Sequence, residues 1–361
     1  MQTQTQKLKN SRPSNEIDAL FRIAAENKAS DLHIVVGKPP IVRIDGQLME
    51  IKNQEIITPE KAQELLYSIT TEAQKEKLIK TRELDISYEI EGLSRFRVNM
   101  HWEKGNIGLV SRIVTSHIPS MEEIMMPESS YKLVRIKDGL IIVTGPTGSG
   151  KSTTLAAMLN LINLERNCHI VTLEDPIEFI YEPKKSIIKQ RELGSDMLSF
   201  TSGLKHSLRQ DPDVIMVGEM RDLETIAATM TLAETGHLVL ATLHTINAAQ
   251  TVDRIIDVFP PYQQDQIRVQ LSMSLRGVIS QRLLVKQKGG RIASREIMTN
   301  NSAISNLIRE NKIAQIKSVI QTSAEIGMIT MDQDIKRLYN EGTISQETAV
   351  SNMIDPRSLR I

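Results

Sequence analysis

The sequence predicts an α/β protein in two parts: an N-terminal α+β domain over residues 15–116, then a parallel α/β domain over 126–361 that ends in helices. Two patterns predict it. In the first third, short runs rich in β-branched residues are separated by turn signals: Gly37-Lys38-Pro39-Pro40, Asp45-Gly46 and Glu91-Gly92. Further on, apolar runs at 139–144, 169–174, 214–218 and 237–243 alternate with helix-length stretches. Runs of that kind suit strands buried on both faces of a parallel sheet.

Each element follows from its own residues. Residues 1–14 are polar and without periodicity, which predicts a disordered tail. Ile17, Leu20, Phe21, Ile23 and Ala24 recur at helical spacing and place a helix over about Glu16 to Asn27. Strands follow at 32–36, 41–44 and 47–51, the last two joined by Asp45-Gly46 as a hairpin turn. Thr58 reads as the N-cap of a second helix, with Pro59 at its first position. Runs at 84–90, 94–102 and 106–114 read as an antiparallel meander, and residues 117–125 as the linker. Beyond about Thr251 the pattern reads as mostly helical to the end.

Composition narrows the function. Lysine plus arginine equals aspartate plus glutamate at 44 each, so no net charge draws the chain to nucleic acid or anionic lipid. Cys168 is the only cysteine, which excludes an internal disulfide and a cysteine-rich zinc site and fits a reducing compartment. The polar start has no apolar core for a signal peptide, and no apolar run approaches the ~20 residues that span a bilayer. The expectation is a soluble, cytoplasmic protein that touches a membrane only through a partner.

Gly145-Pro146-Thr147-Gly148-Ser149-Gly150-Lys151-Ser152 fits the phosphate-loop pattern G-x-x-x-x-G-K-[ST] in full. The apolar run Leu140 to Val143 enters it, and a helix-forming series from Thr153 leaves it, the setting that the motif requires. Its glycines let backbone N–H groups converge on phosphate oxygens at a helix N-terminus. Lys151 then reaches the β- and γ-phosphates of ATP, and Ser152 holds Mg²⁺. Three more polar clusters follow apolar runs, at the carboxyl ends of strands where open α/β folds collect ligands. They are Glu174-Asp175 with Glu178, Glu219 with Asp222, and Thr242 with His244. Hydrolysis needs one carboxylate to orient and deprotonate water and another for the metal. Glu174 and Glu219 are both candidates for the water; solvated strand-end acids or helix caps are the plainer alternative.

His237 and His244 are seven residues apart, so in a strand they face opposite ways and are not placed to share a metal. Each suits a sensor of nucleotide or of a neighbouring subunit, or a satisfied core group. On the run from Ser94 to Trp102, Phe96, Val98, Met100 and Trp102 take one face, and Arg95, Arg97, Asn99 and His101 the other. With Arg112 on the next run, these arginines make either a phosphate clamp or a solvated sheet face.

From Ser30 to Asp332 the stretches SDLHI, PPIVRIDG, RFRVN, GPTGSGKSTTLAAM, TLEDPIEF, DPDVIMVGEMRD, TGHLVLATLHT and AISNLIRE occur in this order. Taken together, they resemble the PilT-type twitching-motility ATPases of the secretion-ATPase superfamily. The resemblance implies a PAS-like N-terminal domain, a RecA-like phosphate-loop NTPase domain, and a homo-hexameric ring with ATP between domains and subunits. It further implies an inner-membrane platform protein of the pilus machinery as partner, at the inner face of the cytoplasmic membrane, and pilus retraction as the output. Carried over by position, Lys151 and Ser152 are the phosphate-loop lysine and the metal-binding hydroxyl. Glu174 is then the water-activating glutamate, and Glu219 the Walker B glutamate on the metal and its waters. His237 and His244 become the His-box pair, and Arg95, Arg97 and Arg112 the nucleotide-contacting arginines. The family's retraction motif usually carries arginine where this chain has Ser305, a departure that bears on coupling rather than on hydrolysis. Pilus-extension and type II secretion ATPases usually have a longer N-terminal region and a four-cysteine motif, so one cysteine favours the retraction branch. An accessory PilU-type ATPase is the nearest alternative, and a secretion-type traffic ATPase a more distant one. A nucleic-acid translocase would need basic loops, and a non-catalytic adaptor would need its acids damaged.

Overall fold

The computed structural model describes residues 15–44, 46–114 and 117–359. The tail expected over 1–14, and Asp45 of the expected Asp45-Gly46 turn, lie outside them. The chain divides into two compact units, Met1–Ser116 and His117–Ile361.

The first unit runs α1 (Glu16–Glu26), β1 (Asp31–Ile34), β2 (Ile41–Ile44), β3 (Gln47–Glu50), α2 (Pro59–Tyr67), α3 (Glu72–Thr81), β4 (Glu83–Ile90), β5 (Ser94–Glu103) and β6 (Asn106–Val114). The strands form one sheet in the order β3-β2-β1-β6-β5-β4, antiparallel throughout. Thr58 does cap α2, accepting the Lys61 N–H at 3.2 Å. Alternation decides the inner face: Phe96, Val98 and Met100 of β5 are fully buried, and Arg97 between them is exposed. Phe21 of α1 packs on Phe96 with ring centroids 4.4 Å apart, and the Tyr88 hydroxyl donates to Asp18 of the same helix at 2.7 Å. Helix α3 escapes the sequence pattern because Leu78 alone is buried along it. Its signal is the capping box of Thr71 and Gln74 instead.

The second unit runs α4 (Glu128–Val134), β7 (Gly139–Thr144), α5 (Lys151–Glu165), β8 (His169–Glu174), β9 (Ile187–Glu192), α6 (Phe200–Ser207), β10 (Val214–Val217), α7 (Leu223–Glu234) and β11 (Leu238–Leu243). It continues with α8 (Ala248–Asp257), α9 (Pro261–Ser274), β12 (Leu275–Val285), β13 (Arg291–Thr299), α10 (Ser302–Arg309), α11 (Ile316–Thr322), α12 (Met331–Asn340) and α13 (Gln346–Asn352). The sheet order is β13-β12-β7-β11-β10-β8-β9, parallel except for β13. The four apolar runs are its centre. Leu140 and Ile142 of β7 pack with α7, α8 and α9 on one side, and Ile141 and Val143 pack with α5 on the other. Both faces are therefore covered, as an α/β fold requires.

Two readings of the sequence are refined here. The stretch after Thr251 is mostly helical, but it also contains the long hairpin of β12 and β13 beside β7. Strand β12 is covered on both faces, so no period of two survives, and buried Ser280, Gln281, Ser294, Arg295 and Glu296 give the pair a mixed, helix-like composition. The residues expected as linker are also packed at their end. Met121 and Met126 are buried, and the Arg295 guanidinium donates to the Ile124 and Met125 carbonyls at 2.8 and 3.2 Å.

Candidate functional site

Strand β7 delivers the chain into the loop 145–150, and α5 starts at Lys151. Gly145 has φ of 147°, and a Cβ there would stand 2.3 Å from the Gln281 carbonyl oxygen. Gly150 caps α5 at φ of 87° without a side chain, so the first N–H groups of the helix are left to the loop and its ligand. Gln281 of β12, almost wholly buried, backs the turn: its Nε2 donates to the Ser149 carbonyl at 2.7 Å and its Oε1 accepts from Thr154 at 2.9 Å. Pro146, Thr147 and Gly148 are exposed, and Ser152 and Thr153 are half-buried on the first turn of α5. The Ser149 hydroxyl is buried without a partner among the described residues. Lys151 Nζ donates to the Gly145 and Pro146 carbonyls at 2.8 and 3.1 Å. Burial draws its pKa down, while the charges of Glu219 and Glu178 draw it back up.

The strand order brings the polar clusters alongside this loop. Thr144 is in register with Leu243, Ala241 with Val217, and Val217 with Leu173, so His244, Glu219 and Glu174 follow neighbouring strand ends. Their settings differ sharply. Glu174 is buried and receives neutral donors only: the Thr172 hydroxyl at 2.6 Å and Gln190 Nε2 at 3.1 Å on Oε1, and the Glu178 N–H at 3.4 Å on Oε2. Burial pushes its pKa up to about 7 against those bonds. Glu219 instead lies between two nitrogen partners, with Arg221 at 2.8 Å from Oε2 and His244 Nε2 at 3.1 Å from Oε1. Burial opposes its ionisation, but the bonds and charges of Arg221 and His244 prevail and lower the pKa. Environments that push two carboxyls apart in this way separate a proton-accepting role from a permanently charged one.

Other residues are placed elsewhere. His237 lies at the amino end of β11, seven positions or about 23 Å of extended chain from His244. Its Nδ1 is 3.0 Å from the Leu232 carbonyl and 3.1 Å from the Thr235 hydroxyl. The two histidines flank the strand rather than lie within it. Asp222 caps α7 through the Thr225 N–H, and Thr242 bonds the Gly218 carbonyl. Arg95, Arg97 and Arg112 belong to the first unit. There Arg97 and Arg112 are directly opposite across β5 and β6, Arg112 bonds Asp31 at 3.1 Å, and Arg95 lies 4.0 Å from Glu89. Two arginines in cross-strand register repel each other unless an anion lies between them. The sequence reading passed over Gln190 and Gln281. Both are uncharged amides outside any phosphate-binding pattern, on strands that carry no clean alternation.

The family model described as Type II/IV secretion system protein matches residues 8–353. The chain is 47% identical to the type IV pilus retraction ATPase PilT of Pseudomonas aeruginosa, over 92% of this chain and 97% of that protein. It is 48% identical to a twitching motility protein of Neisseria gonorrhoeae, over 86% and 83%. The crystal structure of the pilus retraction motor PilT with bound ADP superposes with a TM-score of 0.89 at 45% identity, covering 94% of this chain and 97% of that one.

Proposed function

The chain belongs to the Type II/IV secretion system protein family, and from that premise we propose that it is an ATP-hydrolysing motor powering type IV pilus retraction. What carries the reading is the phosphate loop lying beside two carboxyls of opposite electrostatic setting. In the proposed reaction, ATP lies with its β- and γ-phosphates on the loop N–H groups and Lys151. Glu174 takes a proton from water as the water oxygen bonds to the γ-phosphorus. The bond from that phosphorus to the bridging oxygen breaks, and its electron pair leaves with ADP.

Mg²⁺ is part of the proposal, and the donor set fits it. Ser152 and Glu219 offer hard oxygen ligands, and such sites hold Mg²⁺ by one or two carboxylates and the substrate phosphates rather than by a full protein cage. When bound, the ion neutralises charge that develops on the phosphates. Glu219, kept ionised by Arg221 and His244, serves the metal and its waters. Arg95, Arg97 and Arg112 are proposed to reach a nucleotide of the homo-hexamer, and His237 a subunit contact. An inner-membrane platform protein at the cytoplasmic face is the proposed partner that receives the motion.

The experiment is Lys151→Ala. A loss of ATP turnover of about 10³-fold or more, in protein that remains folded, is expected from removing the main mobile charge on the transferred group. A strain carrying the variant should be hyperpiliated and non-motile on surfaces. Turnover near that of the unmodified protein would overturn the assignment.

A further inference from the structure

Gln190 lies on β9, the edge strand of the second sheet, in register with Thr172 of β8. Its amide is fully engaged. The Tyr181 N–H donates to its Oε1 at 3.0 Å, and its Nε2 donates to the Phe179 carbonyl at 2.7 Å and to Glu174 Oε1 at 3.1 Å. A backbone N–H only donates and a carbonyl only accepts, so these two partners forbid the flipped amide. What faces Glu174 is therefore always an N–H. Thr172 donates to the same oxygen at 2.6 Å. Oε1 thus holds two donors, while Oε2 has only the Glu178 N–H at 3.4 Å, near the outer limit of a hydrogen bond.

We infer that Gln190 is a positioning residue for hydrolysis: with Thr172 it occupies Oε1 of Glu174 and leaves Oε2 as the oxygen that takes the proton from water. This rests on the reading of Glu174 as the base. The pair also opposes what surrounds the carboxyl. Burial and the charge of Glu178 favour the protonated form, and the two donors favour the carboxylate. Tyr181, buried beside both acids, keeps its phenol protonated because burial raises its pKa. Gly218, just after β10, packs on the backbone at this point: a Cβ there would stand 3.1 Å from the Leu173 carbonyl oxygen and 3.4 Å from the Glu174 Cα. Burial thus sets the direction in which Glu174 titrates, and the neutral donors hold back the rise.

The test is the pH profile of ATP turnover for the full chain and for Gln190→Met, Gln190→Glu and Glu174→Gln. Binding of a fluorescent ADP to each variant confirms that the site is folded. The unmodified protein should show an acidic limb centred near pH 7, the value to which burial raises Glu174. Loss of one donor to a carboxylate should move that limb up by about one pH unit in Gln190→Met, an approximately tenfold loss on the acid side that recovers at high pH. Gln190→Glu keeps the Tyr181 contact but sets a second carboxyl against the first, so its limb should lie higher still. A loss that is uniform at all pH values, with the limb unmoved, overturns the inference and leaves the base assignment standing. An acidic limb that persists in Glu174→Gln overturns the base assignment and the inference together.

Discussion

At the residue scale, the site is organised by two glutamates that the same sheet treats differently. Glutamine at position 174 should abolish most turnover and leave nucleotide binding intact, as single-turnover and fluorescent-ADP measurements would show. Glutamine at 219 should instead raise the Mg²⁺ concentration needed for half-maximal rate. Turnover retained in the first and lost in the second would reverse the roles. Glu174 also bears on stability. Its pKa rises from 4.5 unfolded to about 7 folded, so the folded state binds the extra proton. The stability that this proton adds is complete below the unfolded value and lost as pH rises through the folded one. Glu174→Gln should therefore raise the melting temperature at pH 8, with a gain of at most about 3 kcal/mol that disappears near pH 4. The loop residues and both acids were legible in the sequence because each lies at the carboxyl end of an apolar run. Gln190 was not, because its meaning depends on a partner 16 positions away.

At the element scale, the four central strands were legible and the flanking ones were not. Strands β7, β8, β10 and β11 are continuous apolar runs, whereas β9 reads Ile-Ile-Lys-Gln-Arg-Glu and spends its side chains on an edge and on the loop after β8. Strand β12 carries buried polar groups because it serves the phosphate loop. Gln281→Met should accordingly weaken ADP binding by about tenfold or more, since it strands the Ser149 carbonyl and the Thr154 hydroxyl. A titration with unchanged affinity would reduce Gln281 to packing. Farther along, the Ser305 hydroxyl on α10 lies 3.0 Å from both the Ser272 carbonyl and Asn300 Oδ1, where α9 meets β12. Ser305→Arg should change ATP turnover little and alter pilus retraction rate, read from surface motility. A large turnover defect with normal motility would count against that coupling role.

At the scale of the whole molecule, two sheets of opposite kind follow one another along the chain. One is antiparallel with a cationic row, and the other parallel with a phosphate loop. The proposed role of the arginine row is in an assembly. Mixed rings of Lys151→Ala and Arg97→Ala subunits should regain part of the activity that each lacks alone, because an intact arginine on one copy then serves an intact loop on another. No recovery at any ratio, with the assembly confirmed, would confine the arginines to their own chain. The backing of the loop by β12 has a different kind of consequence, in time rather than space. Ser149 and Gln281 are 132 positions apart, and at ribosomal rates about ten seconds pass between the synthesis of one and the other. For that interval the nascent loop lacks its brace, so ATP should do little to aid folding of the emerging chain. Copies that end before Gln281 should carry the motif and hold nucleotide more weakly than complete ones.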